Sequence, residues 1–378
     1  MKKWAVWLLT VMLVFSAFPA LAEDARTSGD FQYTVKGNGT ATIVEYTGVQ
    51  KDIILPNLID GYVITTIGPY AFFPRTGLGN SRDISVTLPD TVTTIGADAF
   101  ASRRVYSINI PAALEYIDGN AFGSGEIQFR IANDHPHFAT IDGSLYYKDN
   151  KELIYMAEYA TIPNGIRVIA NGACSIREAV KVPASVETIG KDAFSLAKRV
   201  SFEDGSKITE IPAGAFMFGE AINLPPNVTK VGERAFERAK LKQETFLHLI
   251  ANLTEIGKYA FRDFDMSLPS RSLTIPGTLK VISEGALYHS DGMYPSDFDI
   301  REVTIEDGVE RIETLAFTGL SIEKAYLPAS LKDIALDAFD PGVKYTVEKG
   351  SYAERWVKEN AFTYEVNGEE QNLDWLLN

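Results

Sequence analysis

The stretch VKVPASVETIGKDAF, residues 180–194, decides the fold because it recurs along most of the chain. Its pattern is an apolar-x-apolar-Pro run, then apolar-x-x-Ile, then x-x-Ala-Phe. We count about eleven such units, which end at Phe72, Phe100, Phe122, Cys174, Phe194, Phe216, Phe236, Phe261, Leu287, Phe317 and Phe339. A period of about twenty to thirty residues predicts a solenoid, in which each unit packs only against its neighbours.

Each unit predicts one short strand followed by a turn. Val180 and Val182 alternate with a polar residue, as a half-buried strand requires. Pro183 follows directly and ends the pairing, because proline has no amide to donate. Gly190 occupies a position that Pro212 takes in another unit, and proline does not adopt a positive φ. We therefore predict one helical turn here, with the Ala-Phe pair on its inner face.

The predicted fold class is a β-rich solenoid that is capped at both ends. Residues 23–51 predict an N-terminal capping hairpin, residues 52–339 the repeat array, and residues 340–378 a C-terminal strand-helix-strand cap and tail that buries Trp356. Within the array, residues 141–155 predict a hairpin insert. A repeat array of this length is interpreted as one elongated domain.

The first 22 residues have the pattern of a secretory signal peptide. Two lysines precede an apolar run, and Ala20-Leu21-Ala22 supplies a small-residue cleavage site. An uncleaved membrane anchor is the alternative, although Pro19 interrupts a run that is short for a bilayer span. We predict an exported protein with no membrane insertion after cleavage.

The net charge limits the classes of partner. The formal charge is −14, and loss of Lys2 and Lys3 with the leader gives −14 − 2 = −16. An acidic surface repels phosphate backbones and anionic lipid head groups, so neither nucleic acid nor a membrane surface is an expected partner.

Motifs for catalysis or cofactor binding are absent from the sequence, and no catalytic residue, metal or cofactor is predicted. There is no HExxH, GxSxG or GxxxxGK[ST] pattern. His135 and His137 are weighed as a metal pair, but the intervening proline disfavours convergence of the two rings. Cys174 is the single cysteine and occupies the Phe position of its unit. We interpret it as a small buried hydrophobic residue, with a reactive thiol as the alternative. An acidic loop with Asp291, Asp297 and Asp299 has calcium-type ligands but no EF-hand spacing.

Outward positions of the predicted strands form the candidate binding face. Most of these residues are small and polar, whereas aromatic and Arg side chains usually carry binding energy. The candidates on this face are Tyr159, Arg199, Phe246, His248 and Tyr326. A second candidate is the inserted loop 288–299, with Tyr288, Tyr294, Asp297 and Asp299. A solvated sheet face without a ligand is the alternative interpretation.

The repeated I-P-x-x-V-x-x-I-G-x-x-A-F motif resembles the BspA-like leucine-rich repeat family of bacterial surface and secreted proteins. The resemblance covers nearly the whole chain after the leader, and the insert near residues 141–155 resembles the D-G-x-L-Y insert of that family. It implies a secreted or cell-surface, non-enzymatic binding scaffold for protein interaction or adhesion, with an extracellular protein or glycan as partner. A carbohydrate or envelope-polymer binder that acts through the loop 288–299 and a purely structural envelope protein are the alternatives.

Overall fold

The structure is a computed structural model that describes residues 24–73, 83–101, 105–123, 125–264, 271–290 and 300–367. The predicted signal peptide and the end of the predicted tail lie outside the described residues. Tyr294, Asp297 and Asp299 of the candidate loop, together with Asp291, also lie outside them.

The chain divides into two compact units, Met1–Ala132 and Asn133–Asn378. The sequence predicted a continuous array from residue 52 to residue 339. The division falls shortly before three antiparallel strands, Phe138–Ile141, Ser144–Tyr147 and Glu152–Tyr155, and the last two form the hairpin predicted over residues 141–155. We describe each unit separately.

The first unit contains two sheets. One has the order β1-β2-β3-β6-β8-β10, with β5 paired to β6, and the other has the order β4-β7-β9-β11. Strands β2 and β3 pair antiparallel, whereas β3 and β6 are parallel. The strands are β1 Arg26–Ser28, β2 Phe31–Val35, β3 Thr40–Tyr46, β4 Asp52–Ile54, β5 Leu58–Ile59, β6 Tyr62–Ile67, β7 Ile84–Thr87, β8 Thr94–Ile95, β9 Val105–Ile110, β10 Tyr116–Ile117 and β11 Gln128–Ile131.

The second unit begins with antiparallel strands and continues as parallel ones. Its strands are β12 Phe138–Ile141, β13 Ser144–Tyr147, β14 Glu152–Tyr155, β15 Val168–Ile169, β16 Val180–Val182, β17 Thr188–Ile189, β18 Arg199–Phe202, β19 Glu210–Ile211, β20 Ala221–Asn223, β21 Lys230–Val231, β22 Glu255–Ile256, β23 Ser272–Ile275, β24 Val281–Ile282, β25 Glu302–Ile305, β26 Arg311–Ile312, β27 Lys324–Leu327, β28 Asp333–Ile334, β29 Lys344–Val347 and β30 Tyr364–Val366.

The sheets of the second unit are of two kinds. The strands of three or four residues, several of which are followed by the repeat proline, form two long-strand sheets, β16-β18-β20 and β23-β25-β27-β29-β30. The two-residue strands that end in the inner Ile or Val form the short-strand sheets β19-β21-β22 and β24-β26-β28, and β15 and β17 extend the sheet β12-β13-β14. Consecutive turns thus lie side by side and in register.

The predicted β-rich solenoid is confirmed, with about 14 turns in place of the eleven units counted in the sequence. Strands outside those eleven units also pair in parallel with a neighbouring turn; β3 and β14 are examples. Terminal and inserted segments therefore add turns although they lack the repeat motif.

Two helices complete the described residues. Helix α1, Gln243–Asn252, lies inside the array, and helix α2, Tyr352–Glu359, lies in the C-terminal cap between β29 and β30. The side chain of Ser351 accepts a hydrogen bond from the amide of Glu354 at 3.0 Å and so caps α2. Trp356 of α2 is buried, as predicted. Within the ranges given above, no helix combines the length and apolar character that a bilayer span needs.

The closing Phe residues form the core of the array. Phe100 and Phe194 are fully buried and Phe339 is 5% exposed. In the second unit the rings of Phe194, Phe216, Phe236 and Phe261 stack with centroids 5.2–5.4 Å apart. The amide of Phe236 donates to the carbonyl of Ala260 in the next turn at 2.8 Å, and this bond recurs from turn to turn. Stacked rings and a backbone ladder therefore connect each turn to the next.

The turn that carries Ala-Phe is not helical, and the prediction of one helical turn is wrong. In nine turns the residue before Ala has a φ between +54° and +64°, which a right-handed helix excludes. The left-handed residues are Tyr70, Asp98, Gly172, Asp192, Gly214, Arg234, Tyr259, Gly285 and Leu315. The position argued from Pro212, two residues earlier, does not have a positive φ at Gly190, Gly232 or Gly257.

Close approach of neighbouring turns explains the glycines that follow the inner Ile or Val. A Cβ on Gly190 would lie 2.4 Å from the backbone nitrogen of Asn171, and one on Gly257 would lie 2.4 Å from that of Glu233. Real Cβ atoms do not approach backbone atoms this closely, so the two turns would have to move apart. The sequence indicated the turn but not this contact.

We expect Gly257→Ala to lower the free energy of unfolding by about 1–3 kcal/mol, because the added methyl overpacks two adjacent turns. Gly37→Ala is the matched control, since Gly37 has no positive φ and no described atom lies within 4 Å of its added Cβ. That control should change stability by less than about 0.5 kcal/mol. Urea unfolding followed by circular dichroism measures both. Equal effects of the two substitutions would contradict the close-contact explanation.

Candidate binding surface

The sheet β16-β18-β20 holds Arg199 in a shallow depression. The register aligns Arg199 with Ala221 on β20, and Lys181 with Ser201 and Asn223 on the three successive strands. Ala179 precedes β16 and also lines the depression. Short alanine side chains on either side of the Arg leave a cavity of about 310 Å³ on the outer face of the sheet.

Lys242 completes the wall of this depression. Leu241 forms a parallel bridge with Ile222 of β20, so Lys242, the next residue, extends the row that contains Asn223. Helix α1 starts at the following residue. The ammonium of Lys181 lies 2.9 Å from Glu203, and this hydrogen bond lowers the pKa of the Glu203 carboxyl from its ordinary value.

Tyr326 lies in a second depression, on the sheet that contains β25, β27 and β29. The register aligns it with Thr304 and Thr346 on the flanking strands. The cavity has a volume of about 540 Å³, and Asp307, Glu348 and Asn367 also line it. The position of Tyr326 on an outward row agrees with the pattern of the sequence. One aromatic ring surrounded by hydroxyl, carboxylate and amide groups can contact a polar ligand.

Phe246 and His248 are not on a strand, so their assignment to the outward sheet row is wrong. Both lie on helix α1, where Phe246 is fully buried and its ring contacts Phe264 at 4.9 Å between centroids. His248 is exposed, and its Nε2 lies 3.1 Å from the carbonyl oxygen of Pro226. It lines a groove of about 310 Å³ between α1 and the Pro225-Pro226 turn.

Tyr159 is also not on a strand. It is 84% exposed and lies in a turn after β14, outside the sheets. Residues 156–167 form no strand. Tyr159 is therefore separated in the fold from the outward rows that hold Arg199 and Tyr326.

Of the four candidate residues on the loop 288–299, only Tyr288 is described. Its ring lies edge-on to Tyr259 at 6.5 Å between centroids, and the guanidinium of Arg262 lies 5.7 Å from its centroid. Tyr288 is half-buried in this cluster.

Sequence analysis missed a buried ionic cluster beside these tyrosines. Asp263 is fully buried, and its Oδ1 accepts hydrogen bonds from the amide of Ser290 at 2.6 Å and from its hydroxyl at 2.5 Å. The other oxygen, Oδ2, lies 3.5 Å from Nε of Arg238 and 3.6 Å from Nε of Arg262. Arg238 lies two residues after the Ala-Phe motif of one turn, and Arg262 and Asp263 directly follow the Ala-Phe motif of the next turn. The repeat pattern leaves these positions variable, so it did not indicate the cluster.

The histidine pair has a structural role at the start of the second unit. His135 is 1% exposed, and its Nδ1 accepts hydrogen bonds from the amides of His137 and Phe138, each at 3.2 Å. Nδ1 of His137 lies 3.3 Å from Asp149. The described part of the chain contains no group of three or more His, Cys, Asp or Glu side chains that could hold a metal ion.

Cys174 occupies the Phe position of its turn and is fully buried. Burial raises the pKa of its thiol to about 12. Since the thiolate is the reactive form, the thiol is chemically inert at neutral pH. The amide of Cys174 joins the backbone ladder by donating to Ala193 at 2.9 Å.

The repeat itself identifies the family. The BspA type leucine rich repeat region matches in six copies, over residues 50–166, 154–267 and 219–346. The chain belongs to this family. The resemblance noted in the sequence is thereby confirmed, and membership of this BspA-type family suggests a binding or scaffold role.

Several solved structures are similar to the chain at low sequence identity. A leucine rich cell surface protein from Faecalibacterium prausnitzii A2-165 is 19% identical, with a TM-score of 0.42, and the match covers 92% of this chain and 98% of that one. The pneumococcal vaccine antigen PcpA is 14% identical, with a TM-score of 0.35 and coverage of 93% and 100%. A leucine-rich repeat protein from Bacteroides ovatus ATCC 8483 is 16% identical, with a TM-score of 0.31 and coverage of 92% and 100%. No curated protein matches the chain.

Proposed function

We propose that this BspA-type protein is an exported, non-enzymatic binding scaffold, secreted or held at the bacterial cell surface, that presents the outer faces of its long-strand sheets to an extracellular protein. Adhesion is the process that such a surface serves. The observation that supports the proposal is the pair of depressions around Arg199 and Tyr326, both on the outward rows of the long-strand sheets. Parallel register joins residues from several turns into each depression.

A glycan is the second candidate ligand, and the depression around Tyr326 favours it. Carbohydrates are commonly bound by one apolar or aromatic surface with a few convergent polar groups. Asp307, Glu348 and Asn367 supply such groups around the Tyr326 ring. This candidate differs from the sequence-based hypothesis, which assigned carbohydrate binding to the loop 288–299.

The proposal is tested by binding of the purified mature chain to immobilised extracellular matrix proteins and to a glycan array. We expect saturable binding of a ligand by the wild-type chain. The Tyr326→Ala variant should bind that ligand about tenfold more weakly, because it lacks the aromatic side chain that lines the depression. Tyr116→Ala is the control, since Tyr116 is 54% exposed but lies on β10 of the first unit. It should leave binding unchanged. If the chain bound neither the matrix proteins nor any glycan on the array and instead self-associated in solution, the proposal would be overturned in favour of a structural envelope protein.

A further inference from the structure

The depression around Arg199 has a charge opposite to that of the whole chain. Three cations line it, Lys181, Arg199 and Lys242, and no carboxylate does, although the chain carries a net charge of −14. Glu203 pairs with Lys181 at the edge. Neither Arg199 nor Lys242 forms an ion pair within the described residues. Two of the three cations thus have no ion-pair partner among the described residues.

We propose that this depression binds a single acidic sugar residue of a glycan through its carboxylate. The guanidinium of Arg199 offers two parallel N–H donors that match the two oxygens of a carboxylate, and Lys242 supplies a second positive charge. Ser201 and Asn223 lie on the same outer face as hydrogen-bonding partners for ring hydroxyls. This inference rests on the proposed function in its glycan form and names the chemical class of the ligand.

The charges around the depression favour one acidic group over a polyanion. Glu178 and Glu220 immediately precede the lining residues Ala179 and Ala221, and Glu178 pairs with Lys198 at 2.5 Å. A polymer with a negative charge on every unit, such as a nucleic acid, would meet these carboxylates as well as the cations. A glycan with one terminal acidic residue avoids that repulsion.

The test uses glucuronic acid as the probe and glucose as its uncharged counterpart, with isothermal titration calorimetry on the full mature chain. We expect saturable binding of glucuronic acid with a Kd on the order of 1 mM, and binding of glucose weaker by about tenfold or more. Affinity should fall as salt is raised, because the depression is open to solvent.

Variants locate the site. Arg199→Ala removes the guanidinium that would bind the carboxylate, and Ala221→Glu places a negative charge beside Arg199. Each substitution should weaken the binding of glucuronic acid by about tenfold or more. Lys324→Ala is the matched control, since Lys324 is an exposed cation that begins strand β27 of the other long-strand sheet. It should change the Kd by less than about twofold. Thermal unfolding of all variants verifies that they fold.

Three outcomes would overturn the inference. They are equal binding of glucose and glucuronic acid, equal effects of Arg199→Ala and Lys324→Ala, and no heat of binding up to about 50 mM glucuronic acid, which corresponds to an interaction too weak to be specific. Tighter binding of a polyglutamate peptide than of glucuronic acid, lost in Arg199→Ala, would assign the depression to acidic proteins instead. A matrix protein or a neutral glycan that binds wild type and Arg199→Ala equally would refute this site and leave the proposed scaffold function standing.

Discussion

Phe236→Ala is expected to lower the free energy of unfolding by about 3–5 kcal/mol, among the largest effects of any single truncation in the chain. The ring is fully buried and stacks between Phe216 at 5.4 Å and Phe261 at 5.2 Å. Truncation removes both stacking contacts and leaves a cavity in the middle of the second unit. Because each turn of a repeat array is stabilised by its two neighbours, the loss weakens both adjoining interfaces. Urea unfolding monitored by far-ultraviolet circular dichroism measures it.

Two variants control for this effect. Phe236→Leu should cost only about 1 kcal/mol, since Leu keeps most of the volume and Leu287 fills the same position in another turn. Tyr159→Ala truncates an aromatic side chain that is 84% exposed and should change stability by less than about 0.5 kcal/mol. If Phe236→Ala cost no more than Tyr159→Ala, the Phe stack would not be the structural core.

The sequence predicted this core because every unit repeats the same inward-facing residues. An isolated Phe says little about burial, but Ala-Phe at nearly constant spacing after Ile or Val implies one environment repeated many times. Phe194, Phe216 and Phe236 meet that expectation, and so does Leu287. The left-handed residue before Ala was missed because Asp192, Arg234 and Leu315 occupy it as well as glycine, so composition at that position gave no conformational signal.

Helix α1 shows where the repeat pattern misleads. Phe246 and His248 were assigned to the outward face of a strand because they lie two residues apart at the place where the repeat pattern requires a strand. The apolar residues Phe246, Leu249 and Ile250 instead have the i, i+3, i+4 spacing of a helix face, and all three are buried. That spacing was present in the sequence and would have indicated the helix.

The assignment of the residues that line the depression around Arg199 depends on this same correction. The sequence placed His248 next to Asn223 in the outward row, whereas the bridge between Ile222 and Leu241 places Lys242 there. The wrong strand assignment therefore put His248 at the position in the row that Lys242 occupies. The position of Arg199 between two alanines could be read from the alignment of units. The position of Lys242 could not, because its neighbour Leu241 pairs with Ile222 through a single bridge outside the repeat motif.

Asp263→Ala is expected to lower the free energy of unfolding by about 3 kcal/mol. The carboxylate is fully buried, accepts two hydrogen bonds from Ser290 and faces the Nε atoms of Arg238 and Arg262. Its removal leaves the amide and hydroxyl of Ser290 without their acceptor and removes a negative charge that faces Arg238 and Arg262. Asp263 also has a φ of +51°, a conformation that Asp tolerates better than Ala. Chemical unfolding at low and at high salt measures the loss.

Asp263→Asn and Glu310→Ala separate the contributions to this loss. Asn keeps an oxygen for Ser290 and tolerates the left-handed backbone, so its smaller deficit reports the missing charge opposite Arg238 and Arg262. Glu310 pairs with Lys332 at 2.7 Å on the exposed surface, and Glu310→Ala should cost much less than Asp263→Ala, a cost that salt reduces further. The Asp263→Ala deficit should persist at high salt because water and ions do not reach a buried carboxylate. A deficit equal to that of Glu310→Ala, or one that salt removes, would show that the cluster behaves as a surface ion pair.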